Sequence, residues 1–282
     1  MKVIDVLKSF YSVNRSHLES LKESRIISRA QPVSDITLYE HIHTTTEPVF
    51  ALSTGRSGTK LLTELFSLSA QNKVYHEPTP EFTWHSKYAY EHQTALHNTT
   101  LQMMFDISRY ELIRDAELVG KRFIETNNRV TFFAPHIARL YPKAKFIHLI
   151  RDPFEFIASG IPRGWYSAKD YLDEGRIVNP DKEKWNQWSV HQKIAWLWVS
   201  TNQFINHFKA ETDAVITIRS DELFSNPEHT QTLFAFLGMN PPSETQIKNL
   251  IRRPVNKSRK PPFSLSESEK KEISKIITEY DI

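Results

Sequence analysis

The chain has 282 residues, with 36 Lys and Arg against 33 Asp and Glu, for a formal charge of +3. That surplus is too mild to argue for a nucleic-acid partner, and 24% charged with 39% hydrophobic residues is the composition of a water-facing globular protein. The complete lack of cysteine excludes disulfides, thiolate catalysis and cysteine-type zinc sites, and no apolar run approaches the ~18 residues of a membrane span.

Residues 1–25 place Val3, Val6, Leu7, Phe10 and Tyr11 on one helical face, which predicts a helix packing on the domain. Its charges, at Lys2, Asp5 and Lys8, fall where a signal peptide needs an apolar core, so a cytoplasmic protein without stable membrane insertion is expected. Residues 26–47 read as a connector, with Gln31-Pro32 and a threonine run from Thr44. The apolar run Pro48-Val-Phe-Ala-Leu predicts a buried strand over 48–53, and Leu61, Leu62, Leu65, Phe66 and Leu68 predict a helix over 58–70.

Further along, Lys73-Val-Tyr-His-Glu predicts a short strand stopped at Pro78, and 79–117 is polar and aromatic with helical stretches but no motif. The run from Leu118 to Glu125 predicts a third strand. A helix follows over 129–140, with Val130, Phe133, Ile137 and Leu140 on one face, and a fourth strand covers 144–150. Residues 161–184 carry proline, glycine and aspartate and predict an exposed loop or lid. A long helix over 186–209, a fifth strand over 214–219 and helices near 227–237, 243–251 and 266–279 complete the chain. Strands alternating with helices predict an α/β fold with a central parallel sheet of about four to five strands flanked by helices, and ligands at the carboxyl ends of the strands. One domain is expected, with 1–47 as N-terminal helix and connector, 48–240 as core and 241–282 as a helical extension.

Two strand ends carry chemistry. The first is Ser53-Thr-Gly-Arg-Ser-Gly-Thr-Lys-Leu, a small-residue loop between a strand and a helix. Backbone N–H groups and the positive end of the helix dipole converge there on an anion, with Arg56 inside the cradle. An ATP-binding loop would place lysine directly after the last glycine and a magnesium-holding hydroxyl after the lysine. Here Thr59 follows Gly58, Lys60 comes one place late, and Leu61 stands in the hydroxyl's place. The second is Arg151-Asp152-Pro153, at the end of the fourth strand, with Ser159 eight residues after Arg151. Pro153 suits a first helical turn. A planar guanidinium and a short hydroxyl are what a phosphate dianion needs, although Arg151 and Asp152 could equally form a local ion pair at a helix start.

Together, in this order, the two sites resemble those of sulfotransferases that use 3′-phosphoadenosine 5′-phosphosulfate (PAPS). The family's loop commonly reads Pro-Lys/Arg-Ser-Gly-Thr-Thr; Arg56, Ser57, Gly58 and Thr59 match it, while Gly55 and Lys60 depart. The stretches from Tyr141 to Ile147 and from Ile218 to Gly238 are also similar to family segments, with Ser220 in a tyrosine's place. The resemblance implies a P-loop NTPase-like sulfotransferase fold and PAPS as sulfuryl donor, without a metal. Gly55, Arg56, Ser57, Gly58, Thr59, Lys60 and Leu61 would take the 5′-phosphosulfate, and Arg151 and Ser159 the 3′-phosphate. It also implies Arg56 and Lys60 as charge stabilisers and Glu77, 21 residues after Arg56, as catalytic base.

His76 is the second choice of base; strand alternation would send it to the face opposite Glu77. Relatives often carry a lysine after the third strand. Here Glu125-Thr126-Asn127 stands there, so Lys121 or Lys60 could substitute, or Glu125 could be catalytic. His148, inside a strand, is expected to be a core histidine. The cluster Arg252, Arg253, Lys257, Arg259 and Lys260 could close over the 3′-phosphate or be a solvated tail, and Trp84, Trp165, Tyr166, Trp185 and Trp188 could stack on a sugar or pack the core. The acceptor is expected to be a glycan or another small molecule bearing a hydroxyl; no nucleic-acid partner is expected. An ATP-using P-loop kinase and a non-catalytic module that binds 3′-phosphoadenosine 5′-phosphate (PAP) remain as alternatives.

Overall fold

Four consecutive apolar residues, Val49–Leu52, form β1, the middle strand of a five-stranded sheet in the computed structural model, which describes residues 19–27, 35–167, 173, 175–225, 227–252 and 263–280. Helix α1 (Asp35–Thr45) precedes it, and α2 (Thr59–Phe66), β2 (Asn72–Tyr75), α3 (Thr83–Glu91) and α4 (Asn98–Leu118) follow. Next come β3 (Arg122–Glu125), a 3-10 segment at Asn128–Phe133, α5 (Ala134–Leu140), β4 (Lys145–Ile150) and α6 (Pro153–Gly160). After a 3-10 turn at Ile161–Arg163 the chain forms α7 (Lys182–Gln187), α8 (Val190–Ala210) and β5 (Val215–Arg219). It ends with α9 (Ser220–Ser225), α10 (Pro227–Leu237), α11 (Glu244–Ile251) and α12 (Glu267–Tyr280).

All strand pairs are parallel, in the order β2-β3-β1-β4-β5. A parallel sheet is covered on both faces, which is why β1 is apolar at every position. Its side chains alternate between two cores. Phe50 and Leu52 join Phe105, Phe133 and Phe146 in one, while Val49 and Ala51 join Leu62, Phe66 and Phe234 in the other. The chain leaves β1 for β2 and β3 on one side and for β4 and β5 on the other, so a crevice opens at the carboxyl ends of β1 and β4. Register sets Leu52 beside His148, so the chain segments leaving these two strands emerge side by side.

Most sequence-predicted elements are present with shifted ends, but the expected connector over 26–47 contains α1, which is held on the domain by buried Ile42 and His43. Helix α2 stops at Phe66, not 70, because the Asn72 side-chain Nδ2 donates to the Phe66 carbonyl at 2.9 Å and turns the chain toward β2. The third strand begins at Arg122 because α4 runs to Leu118 and Gly120, at φ +67°, makes the turn. The expected helix over 186–209 is two helices: Ser189 and Gln192 form a capping box that starts α8 afresh. The 161–184 segment is not simply an exposed loop, since Trp165, Ile177 and Asn179 are buried. The stretch at 19–27 is helical, whereas the apolar face expected at Val3 to Tyr11 lies outside the described residues. Among the described residues no helix is long and apolar enough to cross a membrane.

Candidate active site

The loop after β1 is locked from within. The Thr131 hydroxyl donates to the Ser53 carbonyl at 3.1 Å and accepts from the Ser53 amide at 3.0 Å. The Gly55 amide donates to the Ser53 hydroxyl, and the hydroxyls of Thr54 and Ser57 both donate to the Gly55 carbonyl. Gly55 and Gly58 adopt φ +77° and +89°, values that glycine alone takes without strain. A Cβ at Gly55 would also lie 3.1 Å from the Asn128 side chain. Gly58 caps α2, whose first amides have no acceptor inside the helix.

Arg56 holds φ +53° without being glycine, a backbone state that costs about 1–3 kcal/mol and that the surrounding loop must enforce. Its Nε is buried with no partner. Burial pulls its pKa below the usual guanidinium range, Arg163 and Arg151 add to the fall, and the facing Glu77 opposes it. Three guanidinium groups thus repel one another around one space, an arrangement that an anion relieves.

Arg151 links the two strand ends: its Nη1 donates to the Arg56 carbonyl at 2.9 Å and its Nε to Glu155 at 3.0 Å. The Trp198 indole donates to the Arg151 carbonyl at 3.0 Å. Asp152 caps α6 through the Glu155 amide at 3.0 Å, with Pro153 in the first turn as expected. The local ion pair of Arg151 is thus made with Glu155 rather than with Asp152, and it coexists with a reach across to the loop. The Ser159 hydroxyl is buried without a partner, and Arg163 donates to the Ser159 carbonyl one turn later. Burial and the Arg151 charge hold Arg163 below its ordinary pKa.

Arg56, Arg151, Glu155, Ser159 and Arg163 line one cleft of about 1140 Å³ together with Lys60, His76 and Glu77. Six of its residues are cationic (Arg56, Lys60, Arg129, Arg151, Arg163 and Arg176), against the carboxylates Glu77, Glu155 and Asp221. Glu77 is exposed at φ +52°, past the end of β2. Because β2 ends at Tyr75, strand alternation no longer governs the next residues. His76 and Glu77 line the same cleft, contrary to the opposite-face expectation. His76 Nδ1 lies 3.2 Å from the Thr126 carbonyl.

The sulfotransferase family model matches residues 48–242. The chain belongs to the sulfotransferase family. That span holds both strand-end motifs and all five strands. A sulfotransferase from Alicyclobacillus acidocaldarius is similar in fold, with a TM-score of 0.50 at 15% identity over 83% of this chain and 92% of that one. Also similar are the sulfotransferase domain of the Synechococcus PCC 7002 olefin synthase (TM-score 0.46, 16% identity, 84% and 97% covered) and that of the curacin biosynthetic pathway (0.48, 15%, 72% and 77%). No curated protein matches the chain.

Within this sulfotransferase fold several expected roles change. Glu125 is fully buried and accepts from Arg109 at 2.7 and 3.0 Å and from Asn127 at 3.1 Å, so it cannot meet an acceptor. Burial pushes its pKa up while Arg109 and Asn127 pull it back. Lys121 pairs with Glu23 at 2.7 Å before the start of β3, at the end of the sheet away from the cleft, which leaves Lys60 as the loop's second cation. His148 is a satisfied core histidine, bonded to Asn202 at 2.8 Å, with burial lowering its pKa to about 4. Tyr166, Trp185, Trp188 and Trp196 pack edge to face on one another, so of the five aromatics only Trp165 lines the cleft. In the late basic cluster Arg252 is exposed, and Arg253 to Lys260 lie outside the described residues.

Arg163, Arg129, Arg176 and Asn128 were not anticipated. Arg163 follows Ser159 at helical spacing, a signal that could have found it. The others reach the cleft through tertiary packing: Arg129 on Glu81 at 3.0 Å, and Arg176 on Asp173 at 2.8 Å and over the Trp165 ring at 4.6 Å.

Proposed function

We propose that this sulfotransferase takes the sulfuryl group of PAPS and transfers it to a hydroxyl, with a carbohydrate or glycolipid as acceptor class. One observation carries the reading: two buried polar atoms in the cleft wall, Arg56 Nε and Ser159 Oγ, lack a partner and sit at neighbouring strand ends amid three mutually repelling guanidiniums. Buried polar atoms are nearly always paired, so orphans of this kind mark where a ligand supplies the acceptor. A donor with two anionic poles joined by a nucleoside would serve both motifs. Leu61 offers no hydroxyl for the magnesium of an ATP site.

In this reading Arg151, Ser159 and Arg163 bind the 3′-phosphate, and the α2 amides with Arg56 and Lys60 bind the 5′-phosphosulfate. PAPS supplies an activated S–O bond. Glu77 takes the proton of the acceptor hydroxyl as its oxygen bonds to sulfur. The electron pair of the breaking S–O bond stays on the departing phosphate, where Arg56 and Lys60 stabilise the charge. Catalysis of this kind is mostly positioning and electrostatic stabilisation.

The test compares melting temperatures with PAP and with ATP plus magnesium, since a ligand bound only by the folded state stabilises it by mass action. PAP should raise the melting temperature far more. An equal or larger shift with magnesium-ATP would overturn the donor assignment. Incubation with radiolabelled PAPS and a panel of glycans, lipids and tyrosine peptides then tests the acceptor class, and label confined to the peptides would exclude carbohydrate.

A further inference from the structure

Arg109 and Glu125 form an ion pair with both side chains fully buried. A buried pair of this type contributes little net stability compared with apolar residues of the same volume, so its presence calls for another reason. The five N–H groups of Arg109 are all engaged. Nε and Nη2 grip the two Glu125 oxygens at 2.7 and 3.0 Å. Nη1 donates to the carbonyls of Pro80 at 3.1 Å and Ser108 at 3.0 Å, and Nη2 also reaches the Pro78 carbonyl at 3.4 Å. The Phe82 ring centroid lies 4.2 Å from the guanidinium carbon.

The turn after Glu77 contains Pro78 and Pro80, which have no N–H. Such a turn can be anchored through its carbonyls, and these are the groups Arg109 holds. Glu77 directly precedes this anchor. On the other side of the pair, Glu125 accepts from Asn127, whose side-chain oxygen caps the Arg129 amide at 3.0 Å and starts the 3-10 segment that lays Asn128 against Gly55. One buried pair therefore joins the Glu77 turn to the wall of the Arg56 loop.

We propose that Arg109 and Glu125 are positioning residues that fix the Glu77 carboxylate relative to the Arg56 loop. The inference rests on the reading of Glu77 as base. A displacement of about 1 Å in a reacting group can lower a rate about 10²-fold without touching binding elsewhere.

The test uses Arg109→Lys, which keeps the charge opposite Glu125 and loses the planar fork. With water as the acceptor and radiolabelled PAPS as the probe, kcat should fall about 10–100-fold while PAP affinity by calorimetry stays within about threefold. Hydrogen exchange over residues 76–82 should quicken, with Thr59–Phe66 unchanged. If Arg109 acts through Glu77, the double variant Arg109→Lys/Glu77→Gln should be no slower than Glu77→Gln alone. Glu125→Gln is the second variant and should show the same split. Unchanged exchange or unchanged kcat in folded Arg109→Lys overturns the positioning role, as does full additivity in the double variant. Failure of both single variants to fold would assign the pair to the fold and overturn it as well. Wild-type protein that does not bind PAP would instead sink the PAPS reading, and Glu77→Gln with full activity would sink the base.

Discussion

On the β1–β4 side of the cleft, Arg56 Nε and Ser159 Oγ are buried without partners, and burial together with neighbouring arginine charge lowers the pKa of Arg56 and of Arg163. On the β2–β3 side the guanidiniums already hold acceptors: Arg109 binds Glu125 and two proline carbonyls, and Arg129 binds Glu81. Among the described residues that line the cleft, the orphaned atoms lie on the first side alone. One half leaves buried polar atoms without an acceptor, and the other is satisfied from within the protein. In the proposed reading the contrast separates residues that serve a ligand from residues that serve geometry, and it can be attacked by mutation.

The largest expected contrast is between Arg56→Ala and Arg109→Ala. Losing Arg56 should lower PAPS turnover about 10²–10³-fold, the usual effect of removing one stabiliser of transition-state charge. The melting temperature should hold or rise, because a half-buried cation repelled by two neighbours is gone. Losing Arg109 leaves Glu125 buried and unpaired and should cost about 3–5 kcal/mol of stability. Turnover and thermal melts of the two variants, measured side by side, check this. Near-normal turnover in Arg56→Ala, or a large loss of stability there, breaks the comparison.

Ser159→Ala is a finer test of the same idea. A hydroxyl bonded to a phosphate is worth about 1.5–3 kcal/mol, so PAP affinity by calorimetry should drop about tenfold or more. The free protein should not be destabilised, since the Ser159 hydroxyl has no partner to lose. A variant that melts lower yet binds PAP normally would place Ser159 in the completed half.

The two halves also differ in how far the sequence reveals them. The β1 and β4 motifs are local: small residues before a helix, and Arg151, Pro153 and Ser159 within ten residues of one another. Strand order alone brings them together, and alternating strands and helices at the expected places imply that order's parallel character. The β2–β3 half is assembled from distant segments. Arg109 meets Glu125 across 16 positions and Pro80 across 29. A trace was present, because Arg109 sits in the stripe Leu101, Phe105, Ile113 and Ala116 that buries α4, where an arginine demands a buried acceptor. Reading Glu125 as a possible catalyst missed that demand. The His76 and Glu77 faces were misjudged because alternation was carried past the point where β2 ends.

The smallest expected effect concerns the brace behind the completed half. One turn before Arg109 on α4, Asp106 accepts from Tyr39 at 2.6 Å and Tyr141 at 3.1 Å, and His43 Nε2 meets it at 2.8 Å. His43 Nδ1 faces the Tyr39 carbonyl at 2.8 Å, so both ring nitrogens face acceptors, an arrangement that favours the doubly protonated ring. The rings of Tyr39, Tyr110 and Tyr141 enclose this imidazole. Burial opposes the charge on His43, but the bonds to Asp106 and the Tyr39 carbonyl outweigh it and raise the pKa above 6.5. Burial likewise pushes Asp106 up, but His43 and the two tyrosines outweigh it and bring the pKa below 3.8. The His43 contribution is therefore complete below about pH 6.5 and disappears as the pH rises through its folded value. That of Asp106 is complete above about pH 4 and disappears as the pH falls through its depressed value. Stability from this pair should peak between those limits and decline by on the order of 1 kcal/mol on the alkaline side, which in a chain of this size lowers the melting temperature by about 2–4 °C. Asp106→Asn should lower the melting temperature at pH 6 and flatten its fall toward pH 9. Because α4 carries Arg109, the same alkaline shift should quicken hydrogen exchange at residues 76–82 before it touches the β1 loop. An equal response in both halves would show that Asp106 and His43 brace the whole domain rather than one side of the cleft.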